Sequence, residues 1–406
     1  MSSTFLSGLP AQKLRSDCAV RYTPRKKGPL AISVSSKVAA LYGDAIEAQA
    51  ASTLSDLGIA HGELHIDDFG ALPFVIQARI EAAVRSAHPD RAQSSLPPVG
   101  GQKLSAGGRH RLRRSRLYIP GVQPKMMVNA LVHQADGIIL DLEDSVAPGE
   151  KVSARLIVRN ALRVLDFGES ERMVRINQGG LGLEDIAAIV PEPVQLILLP
   201  KAETAGQVQQ VDARIREVAQ ASGRKSPVYL MPIIESALGI ENAYSIATAS
   251  DNNVALAIGL EDYTADLGVQ RTTEGTESAY ARGALVNAAR AADLQAIYTV
   301  FSDVEDMEGL ARSVRETRAQ GYDGMGAIHP RQVSVIHQNF APDPEEIEKA
   351  QRMVLAFDEA QAQGLGVVAL GSKMLDRPVV LRAQRTVDLA ISSGQLKKGW
   401  KKAKAR

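Results

Sequence analysis

Eight short apolar runs, separated by segments with helical spacing, constrain the fold of this chain more than any other feature. A segment such as Val208 to Val218 has apolar residues at helical spacing, whereas each short run is typical of a buried strand. Strands that alternate with helices pair in parallel through crossovers. The runs are RLYIP (116–120), GIILDLED (137–144), RMVRIN (172–177), QLILLP (195–200), VYLMPIIE (228–235), VALAIGLED (254–262), QAIYTV (295–300) and GMGAIHP (324–330).

Eight strand–helix units in about 220 residues predict a (β/α)8 barrel, whose site is built at the C-terminal ends of its strands. A doubly wound open sheet is the main alternative. No glycine-rich dinucleotide-binding loop follows the first strand, so the barrel is preferred. The glycine-rich GGLGLED (179–185) does not open a helix directly after a strand, and we predict a loop there.

The length of 406 residues exceeds that of one typical domain and predicts a second domain ahead of the barrel. The stretch from Ala87 to Arg113 is rich in Pro, Gly, Ser and basic residues without apolar periodicity, which is typical of an unordered linker. The predicted division is a first domain (11–90), a linker (91–112), the barrel (113–394) and a basic tail (395–406).

The first domain has the pattern of a small α+β unit. Alternating residues predict strands at 18–22, 31–35 and 63–67, and apolar residues at helical spacing predict a helix from Lys37 to Leu57. A second amphipathic helix is predicted within FGALPFVIQARIEAAVRSA (69–87).

Composition argues against several classes of function. The net charge of +1 is not that of a general nucleic-acid binder, although the tail KKGWKKAKAR is locally basic. A single cysteine, Cys18, rules out an intramolecular disulfide and fits a reducing compartment. No run of 18 apolar residues is present, and the N-terminus lacks the apolar core of a signal peptide. We expect a cytoplasmic protein that binds neither nucleic acid nor a membrane.

Charged or polar residues end most of the predicted strands, where the mouth of the barrel would lie. Taken singly, each could cap a helix or form a surface ion pair. Six strands that end in charge at one face indicate a functional site instead. The residues are Asp141, Glu143, Asp144, Arg175, Asn177, Lys201, Glu203, Glu235, Glu261, Asp262 and His329.

Two of these carboxylates, Glu235 and Asp262, follow neighbouring strands. A hard divalent cation such as Mg²⁺ prefers oxygen ligands and keeps several waters, so two carboxylates at one mouth suit it. Arg175 offers bidentate binding to a substrate carboxylate. The combination favours an enzyme over a binding module.

The barrel motifs resemble a known family, the beta subunit of citrate lyase, and are equally similar to its relatives, the malyl-CoA and citramalyl-CoA lyases. The resemblance covers roughly residues 113 to 394. It implies a (β/α)8 barrel, Mg²⁺, and cleavage of a 3-hydroxyacyl thioester carried on CoA or on a carrier. It also implies a homo-oligomer, a trimer or higher, and a citrate lyase alpha subunit as partner. The motifs are LDLEDSVAPGEK (140–151), VRIN (174–177), LPKAE (199–203), IESALG (234–239), GLEDYTADLG (259–268), AIHPRQV (327–333) and GSKMLDRP (371–378).

The resemblance also implies roles for individual residues. Glu235 and Asp262 would be the metal ligands, and Arg175 would hold the substrate carboxylate and the developing charge. Asp376 matches the aspartate of a C-terminal segment that, in this family, can reach into a neighbouring subunit's site; it is the candidate general acid/base.

Weaker assignments concern the remaining polar residues of the mouth. Asn177, Lys201 and His329 are assigned to substrate binding, with a solvated Lys201 and a structural His329 as alternatives. Asp141, Glu143 and Asp144 either organise the metal's waters or cap the following turn.

The N-terminal residues are similar to the acyl carrier (gamma) subunit of citrate lyase. The motifs are SDCAVRYTP (16–24), SSKVAALYGDAIEA (35–48) and DDFGALPFVIQARIEAA (67–83). That subunit carries a phosphoribosyl-dephospho-CoA prosthetic group on a serine. An ungapped alignment places Arg15 at that position, with Ser16 beside it. Either Ser16 carries the group after a one-residue slip, or the domain is unmodified and structural.

Two classes of function follow. The first is a carbon–carbon lyase, with citryl thioester preferred over (S)-citramalyl-CoA and malyl-CoA. The second is a non-catalytic scaffold that binds a CoA metabolite. The complete set of Glu235, Asp262, Arg175 and Asp376 favours the lyase.

Overall fold

The computed structural model describes residues 3–8, 15–100, 108–364, 367–370 and 373–401. Parts of four predicted segments lie outside the described residues. They are the start of the first domain (11–14), the middle of the linker (101–107), the first two residues of GSKMLDRP (371–372) and the end of the basic tail (402–406).

The chain forms two compact units. One comprises Met1–Glu305 and Ala319–Val333, and the other comprises Asp306–Arg318 and Ser334–Arg406. The predicted first domain and all eight predicted barrel strands belong to the first unit. This division differs from the predicted boundaries, which assigned 113–394 to one domain.

The N-terminal part of the first unit is an α+β fold around one apolar core. A four-stranded sheet has the order β1-β2-β4-β3, in which β2 and β4 are antiparallel and β3 and β4 are parallel. Val20, Leu64, Ile76 and Ile80 are among the buried side chains of that core. The elements are β1 (Phe5–Ser7), β2 (Cys18–Pro24), β3 (Leu30–Ser36), α1 (Ala39–Asp56), β4 (Gly62–Asp68) and α2 (Pro73–Ala87).

The eight apolar runs form a closed parallel barrel, which confirms the predicted fold. Because parallel barrel strands are covered on both faces, they are continuously apolar rather than alternating. The barrel closes where Met325 of the last strand pairs with Ser115 of the first. The strands are β5 (Ser115–Pro120), β6 (Gly137–Asp141), β7 (Glu171–Arg175), β8 (Leu196–Leu199), β9 (Tyr229–Ile234), β10 (Ala255–Ile258), β11 (Gln295–Val300) and β12 (Gly324–Ala327).

Helices connect consecutive strands. Within the described ranges, no helix combines the length and apolar character needed to cross a membrane. The helices of the first unit after β5 are α3 (Pro124–Val128), α4 (Lys151–Val164), α5 (Gly179–Ile189), α6 (Ala205–Ala221), α7 (Ala237–Glu241), α8 (Ala243–Ala247), α9 (Leu260–Leu267) and α10 (Ala279–Ala291).

The loop prediction for GGLGLED is wrong, because this segment is the start of α5. Gly179 has a φ of +58°, a left-handed conformation that glycine adopts without strain, and the helix follows directly. Ile186 and Ile189 are fully buried, and Asp185 accepts the Asn177 backbone N–H at 2.8 Å. Packing and this hydrogen bond override the poor helix propensity of the glycines.

The second unit contains mainly helices. Val354, Val387 and Trp400 form an apolar cluster that joins α13 and α14. Asp343 caps α13 by accepting the Glu346 N–H at 2.7 Å, and the Glu346 carboxylate accepts the Asp343 N–H at 3.0 Å. The elements lying wholly or mostly in this unit are α11 (Met307–Gln320), α12 (Arg331–Phe340), α13 (Pro344–Ala362), β13 (Val368–Leu370), β14 (Lys373–Leu375) and α14 (Arg377–Ser392).

Buried ion pairs fasten the N-terminal fold to helix α4 of the barrel. The Arg79 guanidinium, 1% exposed, donates to both carboxylate oxygens of Asp17 at 2.7 and 3.1 Å. It also donates to Glu150 at 2.6 Å and to the Ser153 hydroxyl at 2.7 Å. A second fork joins Arg159 of α4 to Glu81 of α2 at 2.8 and 3.0 Å. The N-terminal fold is therefore a fixed part of the first unit.

The described parts of the predicted linker, 91–100 and 108–112, have no helix or strand, but the first of them is bound to neighbouring elements. Ser95 is buried; its hydroxyl donates to Asp56 at 2.7 Å and its N–H donates to Glu81 at 3.2 Å. Arg91 donates to the Leu57 carbonyl at 2.8 Å. These polar contacts order a segment whose composition predicts no order.

Replacement of Arg79 by methionine is expected to lower the free energy of unfolding by about 3–5 kcal/mol, because Asp17 and Glu150 would keep buried charges without their partner. Replacement of Arg25 by methionine is the control. Arg25 pairs with Glu63 at the surface, where both side chains are 52% exposed, and its loss should cost less than about 1 kcal/mol. Urea unfolding measures both variants. If the Arg79 and Arg25 variants lose the same free energy of unfolding, the buried ion pair of Arg79 does not stabilise the attachment of the N-terminal fold.

Candidate active site

The C-terminal ends of the barrel strands enclose a cavity of about 430 Å³, called here the mouth cavity. The predicted site residues Asp141, Asp144, Arg175, Glu235, Glu261 and Asp262 all line it, together with Arg116, Tyr118 and Tyr298. Most residues from the predicted set of strand ends thus share one space. Asn177, Lys201 and His329 are not among its lining residues.

Arg175, the last residue of β7, is bound on several sides by carboxylates. Its Nε and Nη2 donate to the two oxygens of Asp141 at 2.6 and 2.8 Å. Its Nη1 lies 3.0 Å from Glu143 and 3.3 Å from Asp144, and its guanidinium stands over the Tyr118 ring at 5.3 Å. The predicted bidentate edge is therefore already occupied by Asp141, and Arg175 can offer a substrate only its remaining N–H groups.

Burial and ion pairing shift the pKa values of Arg175 and Asp141 in opposite directions. Burial alone would lower the pKa of the Arg175 guanidinium, but the hydrogen bonds and charge of Asp141 raise it above its ordinary value. Burial would raise the pKa of Asp141, but the hydrogen bond from Arg175 brings it below its ordinary value. Both groups are therefore charged at neutral pH, and the site holds a permanent positive charge.

Glu235 follows β9 and is 5% exposed. Its Oε1 accepts the backbone N–H of Lys201 at 2.8 Å. A Cβ at Gly259 would overlap with Oε2, so only glycine admits the carboxylate there. Burial, followed by repulsion from Asp262, raises the pKa of Glu235 to about 8. A buried carboxyl beside a second carboxylate favours a proton or a cation.

Asp262 does not end a strand as predicted, because β10 ends at Ile258 and Asp262 lies in the first turn of α9. The Lys201 ammonium lies 3.5 Å from Asp262, 3.7 Å from Glu143 and 4.0 Å from Asp144. Burial alone would lower the pKa of Lys201, but these carboxylates raise it. A positive charge is thus stable between the carboxylates of the mouth.

The donor set fits a hydrated Mg²⁺ better than a fully protein-bound metal. Among the described residues, no group of three or more His, Cys, Asp or Glu side chains could hold a metal ion. Glu235 and Asp262 are only two carboxylates, but Mg²⁺ is commonly held by one or two carboxylates, several waters and substrate oxygens. The position of Lys201 among acidic groups supports a cation at this point.

Asn177 has a structural role. Its side chain is buried and donates to Asp185, in the middle of α5, at 2.8 Å. Asp376 lies in the second unit as the N-cap of α14, where its carboxylate accepts the Val379 N–H at 3.1 Å. Ser16 is half-buried in a turn with a φ of +65°, and its N–H donates to the Phe69 carbonyl at 3.2 Å.

Arg116 is a site residue that the strand-end pattern misses, because it lies inside β5. It is 2% exposed, its Nη1 contacts the Met231 sulfur at 3.1 Å, and its Nε has no hydrogen-bond partner among the described residues. Burial lowers the pKa of this guanidinium to about 10. In the sequence Arg116 stands at the start of an apolar run, close behind Arg113 and Arg114, so no pattern distinguishes it from its basic neighbours.

Comparisons with known proteins agree with the two resemblances. The family model described as HpcH/HpaI aldolase/citrate lyase matches residues 114–330, and the model of the malonate decarboxylase delta subunit matches residues 14–87. The citrate lyase subunit beta of Leuconostoc mesenteroides subsp. cremoris is 42% identical, over 69% of this chain and 94% of the relative. Human mitochondrial citramalyl-CoA lyase is 33% identical, over 74% of this chain and 91% of the relative.

A solved structure is also similar. It is the protein CitE from Mycobacterium tuberculosis in complex with magnesium, acetoacetate and coenzyme A. The TM-score is 0.58 and the sequence identity 31%, over 70% of this chain and 99% of that chain.

Proposed function

This chain belongs to the HpcH/HpaI aldolase/citrate lyase family, and we propose that it is a Mg²⁺-dependent carbon–carbon lyase acting on a 3-hydroxyacyl thioester. The preferred substrate is a citryl thioester, cleaved to oxaloacetate and an acetyl thioester. One observation carries the proposal: Glu235, Asp262 and Arg175 line one cavity at the mouth of the barrel.

The bond changes define what the site must do. The proton of the 3-hydroxyl leaves, the C2–C3 bond breaks, and C3 becomes the keto carbon of the released acid. The electron pair of the broken bond passes to the thioester as an enolate, which takes up a proton at C2. Stabilisation is therefore needed at the hydroxyl oxygen and at the thioester oxygen.

Glu235 and Asp262 are the residues that would hold Mg²⁺, which when bound supplies Lewis-acid polarisation of the hydroxyl or keto oxygen. Asp141 holds Arg175 in a fixed orientation, so its charge needs no rearrangement when negative charge develops on the substrate. Arg116 is buried in the cavity wall, and its Nε is unpaired within the described part of the chain; it adds a second fixed cation.

We assign to Asp376 the delivery of the proton that the enolate takes up at C2. Its carboxylate is exposed and accepts only one hydrogen bond from the cap of α14 in the described contacts, which suits a group that must exchange protons. Action on a neighbouring copy requires a homo-oligomer, and assembly as a trimer or higher is part of the proposal. A citrate lyase alpha subunit as partner remains a prediction, and a prosthetic group on Ser16 and an unmodified first domain remain alternatives.

Mg²⁺ affinity is expected to tighten as the pH rises from about 6 to about 8. With a pKa of about 8, Glu235 holds a proton over most of this range in the metal-free protein. Metal binding must displace that proton, so the affinity should rise by up to about tenfold per pH unit and level off above the pKa. Calorimetric titration with MgCl₂, repeated in two buffers of different ionisation enthalpy, measures the affinity and counts the protons released. An affinity independent of pH would contradict this assignment.

The ketoacid product tests the choice of substrate. Purified protein with Mg²⁺ is supplied with citryl-CoA, (S)-citramalyl-CoA or malyl-CoA, which would release oxaloacetate, pyruvate or glyoxylate respectively. The proposal expects the highest kcat/KM with citryl-CoA. Faster release of pyruvate would transfer the assignment to citramalyl-CoA, in line with the 33% identical human relative. A folded chain that binds CoA but cleaves none of the three would support the non-catalytic scaffold.

A further inference from the structure

A second cavity, of about 550 Å³, adjoins the mouth cavity and is called here the side cavity. The two cavities share Tyr118 and Ile328 as lining residues. Most of the side cavity is formed by the barrel, but Arg15 comes from the N-terminal fold. A group seated in the side cavity would therefore lie directly beside the reacting end of a substrate in the mouth.

The two cavities have opposite charge. In the mouth cavity the carboxylates outnumber the two cations, Arg116 and Arg175; the carboxylates are Asp141, Asp144, Glu235, Glu261 and Asp262. Among the residues that the structure describes, no carboxylate lines the side cavity; its polar side chains are Arg15, Tyr118, Gln123, Lys125, Asn129, His133 and His329. The mouth cavity suits a metal and the acyl group, whereas the side cavity suits an anion.

The backbone beside Arg15 is held in place. Ser16 adopts a left-handed conformation and donates its N–H to Phe69. Asp17, the next residue, is 2% exposed and forms the fork with Arg79, which in turn contacts α4 of the barrel. The Arg15 side chain itself is exposed. The held backbone therefore places an exposed guanidinium at the cavity, and only the Arg15 side chain has still to be ordered when an anion binds.

We propose that Arg15 and Lys125 form a phosphate-binding subsite for the nucleotide end of a free CoA thioester. The inference rests on the proposed function and names the form of its substrate. The N-terminal fold then serves as a fixed wall of the substrate site, in which an arginine replaces the serine that a carrier would use. The thioester reaches the mouth from a diffusing CoA rather than from a covalent arm on Ser16.

Kinetics with two thioesters of the same acid test the subsite. One is the CoA thioester, and the other is the N-acetylcysteamine thioester, which lacks phosphates. In Arg15→Ala, the KM for the CoA thioester should rise by about tenfold or more, because a charge-assisted phosphate contact is lost. The kcat of Arg15→Ala with the CoA thioester should stay at the wild-type value. Its kcat and KM with the N-acetylcysteamine thioester should also be unchanged. Arg25→Ala, which removes another exposed arginine of the same fold, should change neither substrate's constants.

Several outcomes would overturn the inference without touching the proposed function. An unchanged KM for the CoA thioester in Arg15→Ala, beside normal turnover, is one. A wild-type chain from its native host that carries a phosphoribosyl-dephospho-CoA mass is another. Loss of turnover with both thioesters in the wild type would instead refute the proposed function. In that case calorimetry with CoA and with pantetheine still tests the subsite, since Arg15→Ala should weaken only the binding of CoA.

Discussion

Glu235→Gln is expected to lower Mg²⁺-dependent turnover by about a thousandfold or more, because the amide removes one of two negatively charged metal ligands. The same change should raise the stability of the metal-free protein. Burial and Asp262 raise the pKa of Glu235 to about 8, so its contribution to stability is fully present below the unfolded pKa. That contribution is lost as the pH rises through about 8. Glutamine has no charge to bury, so the gain at pH 8 should be on the order of 2 kcal/mol.

Glu192→Gln is the matched control for Glu235→Gln. Glu192 is another buried glutamate of the first unit, but it pairs with Arg163 at 3.0 Å and lies outside the residues that line the mouth cavity. Its replacement should lower stability and leave turnover unchanged, which is the reverse of the result expected for Glu235→Gln. The readouts are kcat at saturating Mg²⁺ and urea unfolding in EDTA at pH 8. Retained turnover in Glu235→Gln would remove this residue from the metal site.

Arg175→Lys is expected to lower kcat/KM by about a hundredfold to a thousandfold, since one preorganised cation is lost from its fixed position. Lysine cannot form the two parallel bonds that Arg175 makes with Asp141. Asp141 and Glu143 would remain buried without a full partner, and we expect a loss of about 3 kcal/mol in the free energy of unfolding.

Arg216→Lys serves as the control for this substitution. The Arg216 side chain is 63% exposed and forms an i,i+4 pair with the buried Asp212 on α6. Because a lysine keeps the positive charge at this exposed position, its replacement should change stability by less than about 1 kcal/mol. Turnover should be unaffected. A lysine at 175 with wild-type kcat/KM and stability would contradict the role assigned to Arg175.

The barrel strands were predictable because a strand that is buried on both faces has a continuous run of apolar residues. Strand β1 was not, since three residues, Phe5–Ser7, carry too little pattern to distinguish a strand from a loop. The glycines of α5 led to the opposite error, a loop predicted where a helix forms. The burial of Ile186 and Ile189 outweighs the weak helix propensity of these glycines.

The candidate site was predictable as far as its residues stand at strand ends. Glu235 and Arg175 follow this rule directly, and Asp262 follows it within the first turn of the next helix. Arg116 breaks the rule because it lies within a strand. The partners of Arg175 could not be read from the sequence, since Asp141 is 34 residues away and only the closed barrel brings the two together.

Polar contacts explain why the segment after the first domain differs from its prediction. Composition predicts an unordered linker, whereas Ser95 and Arg91 are bound to groups on neighbouring elements. Such contacts depend on which buried groups lack partners, a property that only the folded chain defines. The buried ion pairs of Arg79 and Arg159 keep the N-terminal fold beside the barrel, which gives Arg15 its place at the side cavity.

The most direct test of the central claim is the release of ketoacid from citryl-CoA by the wild-type protein, measured in EDTA and again after addition of Mg²⁺. We predict no release in EDTA, oxaloacetate formation in stoichiometric amounts with acetyl-CoA once Mg²⁺ is added, and no recovery in Glu235→Gln. Cleavage that proceeds equally well in EDTA, or a folded wild-type protein that forms no ketoacid from any of the three CoA thioesters with Mg²⁺, would contradict the central claim.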